Sequence, residues 1–111
     1  MVKESKPSDV IVVLTTTENS LQAKVIINAL LESRLAACIQ TQQIDSHYVW
    51  QSELCNSQEV LLTIKTLNHS YEEVEKTILR HHPYDVPQIV ALPIEHGLSS
   101  YLDWVKSNVS N

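Results

Sequence analysis

Arg80-His81-His82-Pro83-Tyr84-Asp85-Val86-Pro87 sets two adjacent imidazoles, a phenol and a carboxylate between two prolines. Each proline holds its own φ near about −65° and biases the residue before it, here His82 and Val86, away from the helical region. The loop is therefore stiff, and it concentrates the chain's best metal-ligand and proton-transfer groups. Neutral imidazole nitrogens suit borderline ions such as Cu(II), Zn(II) or Ni(II), which makes His81 and His82 candidate ligands. Adjacent residues do not share a helix face. Both reach one ion only if the helix unwinds at Pro83, or if several subunits share the site. The competing reading is a helix C-terminus, where His⁺ suits the negative dipole end and bonds orphan carbonyls.

Other residues offer less specific chemistry. Glu59 and Lys65 are charges within one strand pattern, six residues apart and so on one face. With Tyr84 they are candidates for binding a small metabolite in an intersubunit cleft; the alternative is a solvated strand face. Tyr48, Trp50 and Trp104 could stack on a planar ligand, but aromatic anchors at subunit contacts are the reading adopted here for Tyr48 and Trp50. Cys38 reads as a buried core residue, and Cys55, in a polar stretch, as the exposed thiol. His47 and His96 fall at strand ends in this reading and His69 before a helix, none at a ligand-pair spacing.

Composition excludes several classes. A formal net charge of −5 and a pI near 5.4 disfavour a nucleic-acid partner. The longest apolar run, Val10 to Leu14, is too short to span a membrane or to serve as an export signal's core. The expected compartment is the cytoplasm, with Cys38 and Cys55 reduced. Gly97 is the only glycine, which rules out a P-loop, a dinucleotide fingerprint and a nucleophile elbow. No nucleophile stands at a recognisable spacing from a base, so neither catalysis nor an organic cofactor is expected.

These residues must be positioned by a short series of elements. Residues 1–9 read as a polar, frayed N-terminus, and 10–111 as one domain. Asp9 to Thr16, β-branched and almost continuously apolar, predicts a central strand buried on both faces. A helix from about Ser20 to Arg34 follows, with N-cap candidates at Thr17 to Ser20. A second strand runs from Leu35 through Trp50, a polar turn covers Gln51 to Ser57, and a third strand spans Gln58 to Thr66. Ser70 and Glu73 stand at capping-box spacing before a second helix stopped by Pro83. Gln88 to Ile94 predicts a fourth strand whose closing Pro93 argues for an end position. Ser99 to Val109 predicts a last helix with Leu102, Val105 and Val109 inward. The order β-α-β-β-α-β plus a C-terminal helix predicts an α+β ferredoxin-like split β-α-β plan with an antiparallel sheet. One sheet face and the edges stay uncovered, and Tyr48, Trp50 and Val60 look too apolar for solvent, so self-association is expected.

Six motifs now occur in order: Val13-Leu14-Thr15-Thr16, Leu35-Ala36-Ala37-Cys38, Tyr48-x-Trp50, Glu59 with Lys65-Thr66, His82-Pro83-Tyr84-x-x-Pro87 and Tyr101-Leu102-x-Trp104. Together they resemble the CutA divalent-cation tolerance family from about Val10 to Trp104. The resemblance implies a ferredoxin-like homotrimer joined through long hairpins, a likeness to PII signalling trimers, and a link to copper and other divalent cations. It also implies a copper site built from a cysteine ending the first strand and the His-His before Pro-Tyr. His81 and His82 match the second part, but Thr15 stands in the cysteine's place, and a neutral hydroxyl is a poor ligand for soft Cu(I). Ser52 replaces the family's tight-turn glycine. The function expected is a cytoplasmic, non-enzymatic trimer that binds divalent metal ions and contributes to metal tolerance. The alternative is a PII-like signalling or scaffold trimer with a metabolite in its clefts.

Overall fold

The computed structural model describes Lys6 and residues 9–110. The frayed N-terminus expected over residues 1–9 therefore lies, apart from Lys6 and Asp9, outside the described residues.

The first strand, β1 (Val10–Thr17), sits centrally in the sheet order β2 (Cys38–Trp50), β3 (Glu53–Leu67), β1, β4 (Ile89–Pro93). Its helix-facing side is buried, while Val12 and Leu14 on the other side are half-buried, short of the burial on both faces that its apolar continuity predicts. Helix α1 (Ser20–Glu32) begins where Asn19 Oδ1 accepts the Gln22 N–H at 2.9 Å, satisfying one orphan donor of the first turn. It stops two residues short of the expected Arg34. Arg34 turns left-handed (φ 58°), so that the Leu35 N–H reaches Leu30 O at 2.9 Å and the Arg34 N–H reaches Leu31 O at 3.1 Å. This is a Schellman ending, with an arginine where glycine is usual.

The long hairpin departs most from the sequence reading. Strand β2 (Cys38–Trp50) and strand β3 (Glu53–Leu67) pair without interruption from Cys38–Lys65 to Trp50–Glu53. The expected Gln51 to Ser57 loop shrinks to Gln51 and Ser52, both at positive φ (51° and 65°), as in a type I′ turn. Cys55 consequently lies within a strand opposite Tyr48, and His47 pairs with Asn56 in the middle of the arm rather than at a strand end. Polarity misled here because the arm projects past β1, which ends at the Thr17–Val60 pair. A ribbon with no covered face needs no apolar alternation. Ser52→Gly is expected to stabilise the fold by about 0.5–1 kcal/mol, since glycine takes a positive φ without steric cost. A urea titration that showed no gain would mean the turn is unstrained.

A single 3-10 turn (Asn68–Ser70) leads into α2 (Tyr71–His81). The expected capping box does not form: Ser70 is itself helical and buried, and its side chain makes no cap bond. At the other end His82 is extended (φ −96°, ψ 128°), the conformation that Pro83 imposes on its predecessor. Strand β4 (Ile89–Pro93) is an edge, with Pro93 at its last pairing position opposite Ile11. Helix α3 (Ser99–Asn108) buries Leu102 and Val105, and Val109 just beyond it is also buried.

All pairings are antiparallel. Alternation then sorts the strands into two faces. Val13, Leu62 and Ile64 turn to α1 and α2, meeting Ile26, Leu30, Val74 and Ile78 in the main core. Val60 belongs to this buried face, correcting its expected exposure. On the opposite face α3 covers one end, packing Leu102, Val105 and Val109 on Val10 and Leu67. Gly97 permits that packing, because a Cβ there would lie 3.0 Å from Leu102. The remainder of the second face is uncovered.

Candidate functional site

The Pro83 turn places the two histidines in different surroundings. His81 ends α2, is exposed, and makes no hydrogen bond among the described residues. His82, pulled out of the helix, is half-buried against the end of β1. Its Nε2–H donates to Thr16 O at 2.7 Å, and its Nδ1 accepts the Tyr84 N–H at 3.2 Å. Those two bonds fix the neutral tautomer and use both ring nitrogens. A His81–His82 chelate within one chain is thus not supported, since His82 would first have to surrender both backbone contacts. Thr15, where the family resemblance expects a cysteine, has a fully buried hydroxyl with no partner. Among the described residues no group of three or more His, Cys, Asp or Glu side chains is arranged to hold a metal ion. Of the two histidines in this loop, His81 is the one whose imidazole stays unengaged.

The same loop builds a second arrangement. Tyr84, turned back over the sheet, donates its hydroxyl to Glu59 Oε2 at 2.9 Å, and its ring tilts against His82 with centroids 4.5 Å apart. Glu59 lies just beyond the Thr17–Val60 pair where β1 ends, so the sheet leaves room for the contact. Burial foremost, then the bond to Glu59 and its charge, with Glu18 and Tyr48 adding, holds the Tyr84 phenol well above the usual tyrosine range. A raised folded-state value means the bond contributes fully below the unfolded phenol's titration near about pH 10. That contribution disappears only as pH rises beyond it.

Residues 84–88 and one side of the arm, from Glu59 out to Trp50 at its tip, border a cleft of about 640 Å³, lined also by His47, Tyr48, Tyr84 and Asp85 among others. Tyr48 and Trp50, two apart on β2, point to one side and are each 44% exposed. Lys65 does not join them. It lies on the same sheet face as Glu59 but about 20 Å away along the strand, bonded to Gln40 Oε1 and 5.9 Å from the centre of the Tyr101 ring. Of the three residues expected to line an intersubunit cleft, Glu59 and Tyr84 meet within one chain and Lys65 does not. What the sequence reading missed is the role of Thr16 as acceptor for His82. That contact joins residues 66 positions apart, and no local signal carries it.

Around the cleft, the uncovered face is apolar. Val12, Leu14 and Leu61 are half-buried, while Val90 and Leu92 are about half exposed.

The CutA1 divalent ion tolerance protein family model matches residues 11–108. The chain is 44% identical to the divalent-cation tolerance protein CutA of Thermus thermophilus over 98 residues, 87% of this chain and 95% of that protein. It is 36% identical to the chloroplastic CutA of Arabidopsis thaliana, covering all of this chain but 62% of that longer protein. Among solved structures, CutA1 from the psychrotrophic bacterium Shewanella sp. SIB1 superposes with a TM-score of 0.89 at 37% identity, over 96% of this chain and 100% of the other.

Proposed function

Because this chain belongs to the CutA1 divalent ion tolerance family, we propose that it serves cation tolerance as a ferredoxin-like homotrimer. It binds divalent metal ions, copper foremost, and catalyses no reaction. The observation that carries the assembly is the uncovered sheet face. Val12, Leu14, Leu61, Val90 and Leu92 form an apolar surface beside an arm that exposes Tyr48 and Trp50. Apolar surface of that kind favours a partner, and a second and third copy of the chain are the partners proposed. His81 is the metal ligand, one from each subunit, and His82 is the residue that anchors the loop behind it. The cytoplasm is the proposed compartment, a reading supported by two free cysteines.

The test is calorimetric titration with Cu(II) and Zn(II) against a competing chelator, with assembly mass recorded alongside. His81→Ala is expected to abolish stoichiometric binding in an intact trimer. Unchanged binding in that variant would remove the metal reading of the loop, and a monomeric mass would remove the trimer.

A second reading rests on the cleft at Tyr84 and Glu59. In it the trimer is a PII-like signalling or scaffold module that takes up a small metabolite. Saturable binding of a metabolite that survives His81→Ala would favour this reading over metal handling.

A further inference from the structure

We propose that position 15 is closed to metal in this fold. Thr15 is a packing residue of the core, and a cysteine placed there would remain a buried, inert thiol that builds no Cu(I) site with His81 and His82. The inference deepens the metal reading above and rests on it in one respect. If the Pro83 loop holds an ion, that ion is one that imidazole alone can bind, such as Cu(II) or Zn(II).

Alternation along β1 decides where position 15 points. Ile11 and Val13 belong to the core beneath α1 and α2, and Thr15 shares their face. In the sheet it stands between Leu62 on β3 and Ile89 on β4, both of which pack into that same core. Thr15 is fully buried by its own protomer, so assembly through the other sheet face does not alter its surroundings. Among the described residues its hydroxyl finds no hydrogen-bond partner. A buried polar group left without a partner carries an uncompensated desolvation cost, the mark of a position shaped for an apolar side chain.

The histidines do not converge on that position. Strand β4 pairs with β1 no further than Thr15–Ile89, and His82 takes the next carbonyl along, Thr16 O, through its Nε2–H at 2.7 Å. Its Nδ1 accepts the Tyr84 N–H, so neither ring nitrogen keeps a lone pair for a metal. His81 is exposed on the last turn of α2. A Cu(I) ion would therefore need a thiolate from inside an apolar core and an imidazole from solvent at once. Burial in apolar surroundings keeps a thiol protonated, whereas the thiolate is the form that ligates. Both obstacles lie within one chain, and neither is removed by a neighbouring copy.

The test compares wild type, Thr15→Cys and Thr15→Val as full chains. Cu(I) is titrated anaerobically against bicinchoninate, with Cys38 and Cys55 giving every chain the same thiol background. Thr15→Cys is expected to take no more Cu(I) than wild type. Its added thiol is expected to react with a disulfide reagent at least about a hundredfold more slowly in the folded chain than in urea. Thr15→Val removes the orphan hydroxyl and keeps the shape. It is expected to raise the thermal midpoint by about 4 °C at matched protein concentration, and it carries the test if Thr15→Cys does not fold. One further equivalent of Cu(I) on Thr15→Cys would overturn the closed position. So would an added thiol that reacts as fast as in urea, or a Thr15→Val chain no more stable than wild type. Cu(II) binding through His81 is read in a separate titration, so failure of the metal reading leaves each of these outcomes unchanged.

Discussion

His82→Ala is expected to destabilise the fold by about 2–3 kcal/mol, whereas His81→Ala, one residue away, should change stability by no more than about 0.5 kcal/mol. The contrast follows from what each ring touches. Removing the His82 imidazole leaves the Thr16 carbonyl and the Tyr84 N–H without their partners, and each net hydrogen bond is worth about 1 kcal/mol. The Tyr84 ring also loses its tilted contact with the imidazole. Among the described residues, the side-chain bond left to hold the loop over the sheet is then Tyr84–Glu59. The exposed His81 makes no hydrogen bond among the described residues, and its loss should be felt only in metal binding. Urea titrations at matched protein concentration read the difference, matched because assembly makes apparent stability concentration-dependent. Equal and small effects of the two substitutions would show that His82 does not anchor the loop.

Ile64→Ala should cost more, about 3–4 kcal/mol. Ile64 is fully buried on β3, paired with Val13 on one side and Ile39 on the other, and faces the core beneath α1 and α2. Truncation removes several methyl groups from contact with side chains held on both flanking strands, so little collapse into the cavity is expected. Leu61, its near neighbour on the opposite face, is only half-buried within the single chain. Leu61→Ala should therefore be mild in a monomer and should weaken assembly if that face is an interface. Paired denaturation and mass measurements on the two variants separate core from interface. A loss below about 1 kcal/mol for Ile64→Ala would contradict the central packing described here.

The reading of the elements succeeded where physics is local. The β-branched continuity of Asp9 to Thr16 marks the central strand, paired with β3 and β4, although Val12 and Leu14 on its second face are only half-buried in the single chain. Pro83 stops α2 by forcing His82 out of the helical region, and Pro93 stands at an edge. It failed where a fold suspends the usual rules. The polar run at the hairpin tip is strand, because a projecting ribbon has no side to bury. Arg34 ends α1 through a left-handed turn that its residue type does not announce. Ser70 lost its capping role to a 3-10 turn that draws it inward.

The candidate site divides along the same line. The family was legible from short motifs in order along nearly the whole chain, and residue types alone singled out the Arg80 to Pro87 stretch as the candidate site. Which atoms remain available was not legible. His82 is consumed by a carbonyl on β1, Glu59 meets Tyr84 across the sheet, and Lys65 is carried about 20 Å from both by the rise of the strand it occupies. Backbone preference and hydrophobic periodicity act between near neighbours and are written in the chain itself. Hydrogen-bond partners depend on strand order and register, which exist only once distant segments have paired.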